Sequence, residues 1–399
     1  MKILVSLFAL VTAAMANDSS IMETLDNNIM FKTANDQFTA NMFQEVAKIE
    51  GDKSYVISAF SVMSPLAQLA LASVGESRDE ILKAIGLPDN NVTSVFTEIN
   101  TGIRSVKEVE LTQANKLYIS EGHSVNEQFA AVSKQVFDLD VQNIDFGQNK
   151  KAADEINAWV EDHTNKRIQN LVTYSSITPS TAVVLVNAIY FKGGWSHPFS
   201  EYDTQDKAFH VSSSKSITAP MMTQTHTFKY GESQELDAKF LEIEYRGYEA
   251  SFVVALPNQI DGIKSMIAKT IDPTMLNNAL NNMTATKVEV LLPKFKIETS
   301  ISLTQVLKNM NVKKLFKPTE SRLENLLTES SDVSLTDAVQ KAFIDVNEKG
   351  TEAAASNAFI GVGSAWGPFI EPKLFHADHP FQFFIMFKNN ILFNGVYQS

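Results

Sequence analysis

The residues whose types and spacing could do chemistry cluster near the C-terminus, and most of the familiar chemistries fail there. His376 and His379 form an i, i+3 pair that could suggest a metal. Their segment reads as extended, however, and side chains three apart on a strand face opposite ways. No His-Glu-x-x-His accompanies them, so they read as structural histidines with no metal site. Gly361-Val362-Gly363-Ser364-Ala365-Trp366-Gly367 has the look of a phosphate loop, but the third glycine of a dinucleotide pattern falls on Trp366 and no capped helix follows. No Gly-x-Ser-x-Gly elbow occurs, and the chain has no cysteine, which excludes thiol catalysis and cysteine-ligated metal. No cofactor is implied, and nothing in the chain argues for an enzyme.

What remains is a stretch better suited to being a substrate than to acting on one. It begins Glu348-Lys349-Gly350-Thr351-Glu352-Ala353-Ala354-Ala355-Ser356-Asn357-Ala358. The alanines have too little bulk for a core and no β-branching for a strand. In an extended chain Thr351, Ala353, Ala355 and Asn357 share one small face, and Glu352, Ala354 and Ser356 share a polar one. A strand able to leave solvent and enter a sheet needs that pattern. A glycine-rich, aromatic-tipped segment follows, and Ala377-Asp378-His379-Pro380-Phe381 closes the stretch.

These residues carry a family resemblance. Ala342-Phe343-Ile344-Asp345-Val346-Asn347-Glu348-Lys349-Gly350-Thr351-Glu352-Ala353-Ala354-Ala355 resembles the serpin strand that leads into the reactive-centre loop and its hinge. The Asp-His-Pro-Phe segment resembles the strand by which that loop returns, and the likeness runs along almost the whole chain. The resemblance is to inhibitory, secreted members of the insect antichymotrypsin and antitrypsin class. It implies an α+β serpin fold, one domain with three β-sheets, about nine helices and an exposed reactive-centre loop at about residues 348–375.

The function it implies is inhibition of serine endopeptidases by a suicide-substrate mechanism. The target protease cuts the loop, is held as an acyl-enzyme, and is dragged away as the hinge inserts into the large sheet. The hinge residues are then Glu348, Gly350, Thr351, Glu352, Ala353, Ala354, Ala355 and Ser356. The partner is a target serine protease in covalent complex, and the chain itself is expected to be a monomer. A serpin-fold binding or storage protein without inhibition is the alternative.

No basic residue lies between Lys349 and Lys373, which disfavours trypsin-like targets, whose specificity pocket wants a cation. In inhibitory members the specificity residue stands about 16 residues beyond the glutamate that opens the hinge. From Glu348 that is Ser364, with Ala365 following, on a tether of roughly 55 Å at about 3.3 Å per residue. Counting back from Pro380 falls instead on Phe369-Ile370, and Trp366-Gly367 lies between the two counts. Ser364 suits an elastase-like pocket, and either aromatic suits a chymotrypsin-like one.

The elements that must position this stretch are legible by period and run. Val183 to Phe191 is continuously apolar, as expected of a central strand buried on both faces. Tyr55 to Ser61 reads as a strand entering a turn, and Pro65 to Ala72 as a helix of small residues. A first helix is expected over 33–49 from Phe38, Met42, Phe43 and Val46, and an amphipathic one over 303–312. Ala59 stands where the family usually has proline, Gly75-Glu76-Ser77-Arg78 departs from its usual small-residue pattern, and Gln340 stands where histidine is common.

At the other end, Lys2, the apolar run Ile3 to Val11 and Ala14-Met15-Ala16 read as a signal peptide over residues 1–16. The serpin domain is then 17–399, secreted and extracellular, with no membrane span. A net charge of −12 without a basic cluster argues against nucleic acid or a polyanion cofactor. Sequons at Asn91 and Asn282 are candidate glycosylation sites, making the chain a candidate glycoprotein; the sequon at Asn17 lies too near the cleavage site.

Overall fold

A computed structural model describes residues 2–104, 107–329, 332–351 and 371–398, with side chains described from Met22 onward. In chain order the helices are α1 (Lys2–Glu50), α2 (Ala59–Ala72), α3 (Gly75–Ile85), α4 (Val92–Arg104), α5 (Glu127–Phe137), α6 (Asn149–His163), α7 (Ile263–Lys269), α8 (Pro273–Asn281) and α9 (Leu303–Asn309). The early strands are β1 (Tyr55–Ile57), β2 (Val109–Ser120), β3 (Asp140–Ile144), β4 (Val183–Gly194), β5 (Gln205–Ser212), β6 (Lys215–Ser233), β7 (Ala238–Glu244) and β8 (Ala250–Pro257). They are followed by β9 (Thr284–Pro293), β10 (Phe295–Ser302), β11 (Leu335–Asn347), β12 (Gly350–Thr351), β13 (Lys373–His376), β14 (Phe381–Phe387) and β15 (Asn390–Tyr397). Nine α-helices among the described residues agree with the expected α+β content.

The strands form two hydrogen-bonded sheets where three were expected. One has the order β10-β11-β12-β4-β2-β3; the other runs β1-β15-β14-β8-β7-β6-β9-β13, with β5 also on β6. The difference lies in β6, 19 residues long. Residues 221–230 of it pair with β9, while residues 229–233 pair with β7. One unbroken strand therefore carries the hydrogen bonding from one expected sheet into the next.

Strand β4 shows why a continuous apolar run was needed. Val183, Leu185, Ile189 and Phe191 face the main core, whereas Val184, Val186 and Ala188 face a second, smaller core. That alternation is the two-residue period of a strand covered on both faces. The smaller core is roofed by α6 through Ala152, Ala153, Ile156 and Val160, and it spans β2 (Ala114, Tyr118), β4 and, at its edge, Val339 and Phe343 of β11. Trp159 packs at this margin, stacked on His163 at 4.3 Å between ring centroids and with the Lys116 ammonium over its face at 4.7 Å.

Two helices differ from their expected lengths. No glycine or proline interrupts the chain from Lys2 to Glu50, so the first helix starts far upstream of residue 33 and stops only at Gly51, whose φ of +62° is left-handed. Helix α9 ends at Asn309, short of 312, because Asn311 turns left-handed with φ +68°. No described helix is long and apolar enough to cross a membrane.

Candidate functional site

Strands β11 and β4 run parallel and pair directly from Leu335↔Val183 to Phe343↔Tyr190. Beyond that point they part, and the start of the hinge lies between them. Val346 and Asn347 pair with Thr351 and Gly350 on one side, and Gly194 and Gly193 pair with Gly350 and Thr351 on the other, both antiparallel. Two parallel neighbours can admit an antiparallel strand between them, and the first two residues of one are in place.

Glycine makes the close approach possible. Gly350 has φ +148°, and a Cβ there would lie 2.1 Å from the Gly193 carbonyl oxygen and 2.7 Å from the Gly194 Cα. Any other side chain would push the hinge out of the sheet.

The chain after β4 grips the turn. The Trp195 N–H donates to the Lys349 carbonyl (2.9 Å), its indole N–H to the Asn347 carbonyl (2.9 Å), and the Phe199 N–H to the Glu348 carbonyl (2.8 Å). The Glu348 carboxylate accepts from the Thr204 hydroxyl at 2.9 Å and from the Lys294 ammonium at 2.9 Å. Burial by itself would raise the Glu348 carboxyl; its own backbone N–H, Lys294 and Thr204 outweigh that and hold it below the usual glutamate range.

Lower in the seam a polar network crosses from β11 to β4. Gln340, opposite Asn187 in the pairing, donates from Nε2 to the Ser58 carbonyl (2.7 Å) and to Asn187 Oδ1 (2.7 Å), while its Oε1 accepts from the Ser58 N–H. Asn187 in turn donates to the Ser61 carbonyl and to Asn115 on β2. These groups are buried, and their satisfied hydrogen bonds hold the two strands and the start of α2 together. Gln340 does not titrate, so this tie is insensitive to pH where a histidine would not be. Polar Asn187 and Gln340 inside apolar strands were the signal for this network in the sequence; reading them one at a time missed it.

Of the expected site residues, Glu348, Gly350 and Thr351 are brought together at the top of the seam. Glu352, Ala353, Ala354, Ala355 and Ser356, and the candidate bonds at Ser364-Ala365, Trp366-Gly367 and Phe369-Ile370, lie outside the described residues. The return strand β13 pairs in parallel with β9, Lys373↔Val288 to His376↔Leu291. His376 reaches Glu289 at 3.3 Å, whereas buried His379 bonds Asp378 and the Pro257 carbonyl, so the two rings serve different neighbours. Asn282 is exposed at the end of α8, and Asn91 is half-buried just before α4.

A histidine pair sits beside the gripping segment. His197, between Trp195 and Phe199, lies 3.9 Å from His226 on β6 between ring centroids, with Ser196, Phe228 and Glu244 around the two rings. Burial first and His226 second hold the His197 ring below its ordinary value of 6.5, against the pull of Glu244. The folded chain therefore binds this proton less well than the unfolded chain. Its contribution to stability is full above about pH 6.5 and is lost as pH falls through the lower folded value. Thermal midpoints taken between about pH 7.5 and about pH 5 are expected to fall less for His197→Gln than for the natural chain. Equal acid sensitivity would remove His197 from that role.

The fold and this hinge define a class, and comparison with known proteins agrees. The serpin profile, described as serpin (serine protease inhibitor), matches residues 33–399. The chain belongs to the serpin family. It is 48% identical to alaserpin of Manduca sexta over 99% of both chains, and 49% identical to antichymotrypsin-2 of Bombyx mori over 92% of this chain and 98% of that one. Among solved structures it is similar to Serpin48 of the insect Tenebrio molitor, with TM-score 0.85 and 34% identity, covering 92% of this chain and 98% of that one. Taken by motif alone, the residues give only a negative, that nothing in the chain argues for an enzyme. The family match corrects that statement to a positive one: this is a family of serine protease inhibitors, and target serine proteases are the partners it implies.

Proposed function

We propose that the chain is a secreted inhibitor that traps serine proteases by loop cleavage followed by insertion of the hinge between β4 and β11. The observation that carries this reading is the placement of Gly350 and Thr351, paired to both strands while the chain is intact. Extending that pairing downward would carry Glu352 to Ser356 into the parallel seam, and small residues are what such a seam accepts. The names of the relatives, antichymotrypsin-2 and antitrypsin of Bombyx mori, point to different proteases, so the target follows from this loop's own residues. With no cation between Lys349 and Lys373, targets are elastase-like at Ser364-Ala365, or chymotrypsin-like at Trp366-Gly367 or Phe369-Ile370. Residues 1–16 are removed on export, and exposed Asn282 is the better of the two glycan acceptors.

The test is incubation of the purified protein with chymotrypsin, elastase and trypsin, followed by a denaturing gel and the mass of the released C-terminal fragment. We expect a denaturant-resistant complex with elastase or chymotrypsin and none with trypsin, the fragment starting at Ala365. A start at Gly367 or Ile370 would move the bond to Trp366 or Phe369. Clean cleavage by all three proteases with no complex would reject trapping and leave a serpin-fold binding or storage protein.

A further inference from the structure

Tyr245 follows the last residue of β7 and is fully buried. Its ring stacks on Trp195 at 4.7 Å and 15°, and it leans on Phe191 at 5.0 Å. Gly193 makes room for it, since a Cβ there would lie 2.8 Å from the ring. The hydroxyl shares one 2.5 Å hydrogen bond with the hydroxyl of Thr351, which is itself fully buried. Burial pushes the phenol far up, so it stays neutral and able to donate. Among the described residues, two other buried tyrosines, Tyr55 and Tyr118, leave their hydroxyls without a hydrogen-bond partner. The Tyr245 hydroxyl has one, and it belongs to the hinge.

We infer that the Tyr245 hydroxyl is a positioning group that holds the hinge between β4 and β11 before any loop bond is cut, and so sets how much inhibitor traps protease rather than being consumed as substrate. This rests on the trapping reading above. The coupling works in both directions. If Thr351 leaves, a fully buried phenol loses its partner; if the phenol is removed, a buried threonine hydroxyl does. After cleavage, insertion competes with hydrolysis of the acyl-enzyme. A hinge already engaged at its first two residues starts that race ahead, whereas a disengaged hinge must first find the seam.

Three variants test this. Tyr245→Phe keeps the stacked ring and removes the hydroxyl; Thr351→Val removes the other hydroxyl, so one variant that fails to fold leaves the test standing. Hydrogen exchange at the Gly350 and Thr351 amides reads the hinge without any protease. It is expected to speed up about fivefold in each single variant, the factor a net hydrogen bond supplies. With chymotrypsin or elastase, the ratio of trapped to cleaved product is expected to fall by about the same factor. The double variant leaves no hydroxyl unpaired and should be no worse than either single one, whereas a merely structural contribution from each side chain would add. Natural exchange and an unchanged ratio in both single variants would overturn the inference, as would additive losses. A natural chain that is only cleaved would reject trapping, and with it the role of Tyr245 in that ratio; exchange at Gly350 and Thr351 would still decide whether the phenol holds the hinge.

Discussion

Thr351→Arg is expected to convert the inhibitor into a plain substrate. Thr351 is fully buried between Val346 of β11 and Gly193 of β4, with its hydroxyl on Tyr245. The Glu348 carboxylate at the top of the seam is already taken by Lys294 and Thr204, and burying an unpaired charge costs several kcal/mol after relaxation. The variant hinge stays outside, and insertion cannot start from its first residues. The loop bond remains open to attack, so cleavage continues while the yield of denaturant-resistant complex falls by at least about tenfold. The gel and fragment-mass assay reads both products at once. Complex at the natural level would mean that insertion does not begin at Thr351, and circular dichroism would show that the rest of the fold is intact.

Glu348→Lys is expected to weaken the resting fold at the top of the same seam. Glu348 is 5% exposed, and its carboxylate is held by Lys294 and Thr204. Reversal places two ammonium groups together and leaves the threonine without its acceptor. Removing one member of a buried pair usually costs about 3–5 kcal/mol, and the half-exposed Lys294 brings this down to about 2–3 kcal/mol. The thermal midpoint should fall, and Glu348→Gln, which keeps an acceptor for Thr204, should fall less. With the top of the seam loosened, the bare edges of β4 and β11 can take a strand from a second copy. Size-exclusion chromatography after mild warming should then show oligomers for the lysine variant and a monomer for the natural chain. Acid should act in the same direction. The native Glu348 carboxyl is held low, so its contribution is present above about pH 4.5 and is lost as pH falls through the lower folded value.

The parts of this fold that were legible in the sequence are those that obey a local period. The run from Val183 to Phe191 announced a strand covered on both faces, and both cores are found against it. The small residues from Ala353 to Ser356 set the expectation of a strand able to enter the large sheet, and they lie outside the described residues. That Gly350 and Thr351 are already engaged depends on Gly193, Gly194 and Tyr245, far away in sequence, and no local pattern encodes such a meeting. The same distance separates Gln340 from Asn187 and Ser58. The join between two of the three expected sheets was missed for another reason: a long strand with pairings at both ends reads in sequence like any strand.

The smaller core also sets a clock. It is built on β2, β4 and the margin of β11 with α6 packed over it, so on the trapping reading the helix lies on the sheet that would have to widen. On that reading, a strand entering between β4 and β11 disturbs the layer that Ile156 and Val160 share with Val184 and Val186. The helix would then lift or slide and settle again, and the time this took would be measured against the lifetime of an acyl bond in another protein's active site. Repacking beneath α6, far from both the hinge and the cut, would thus change how long a protease has to escape.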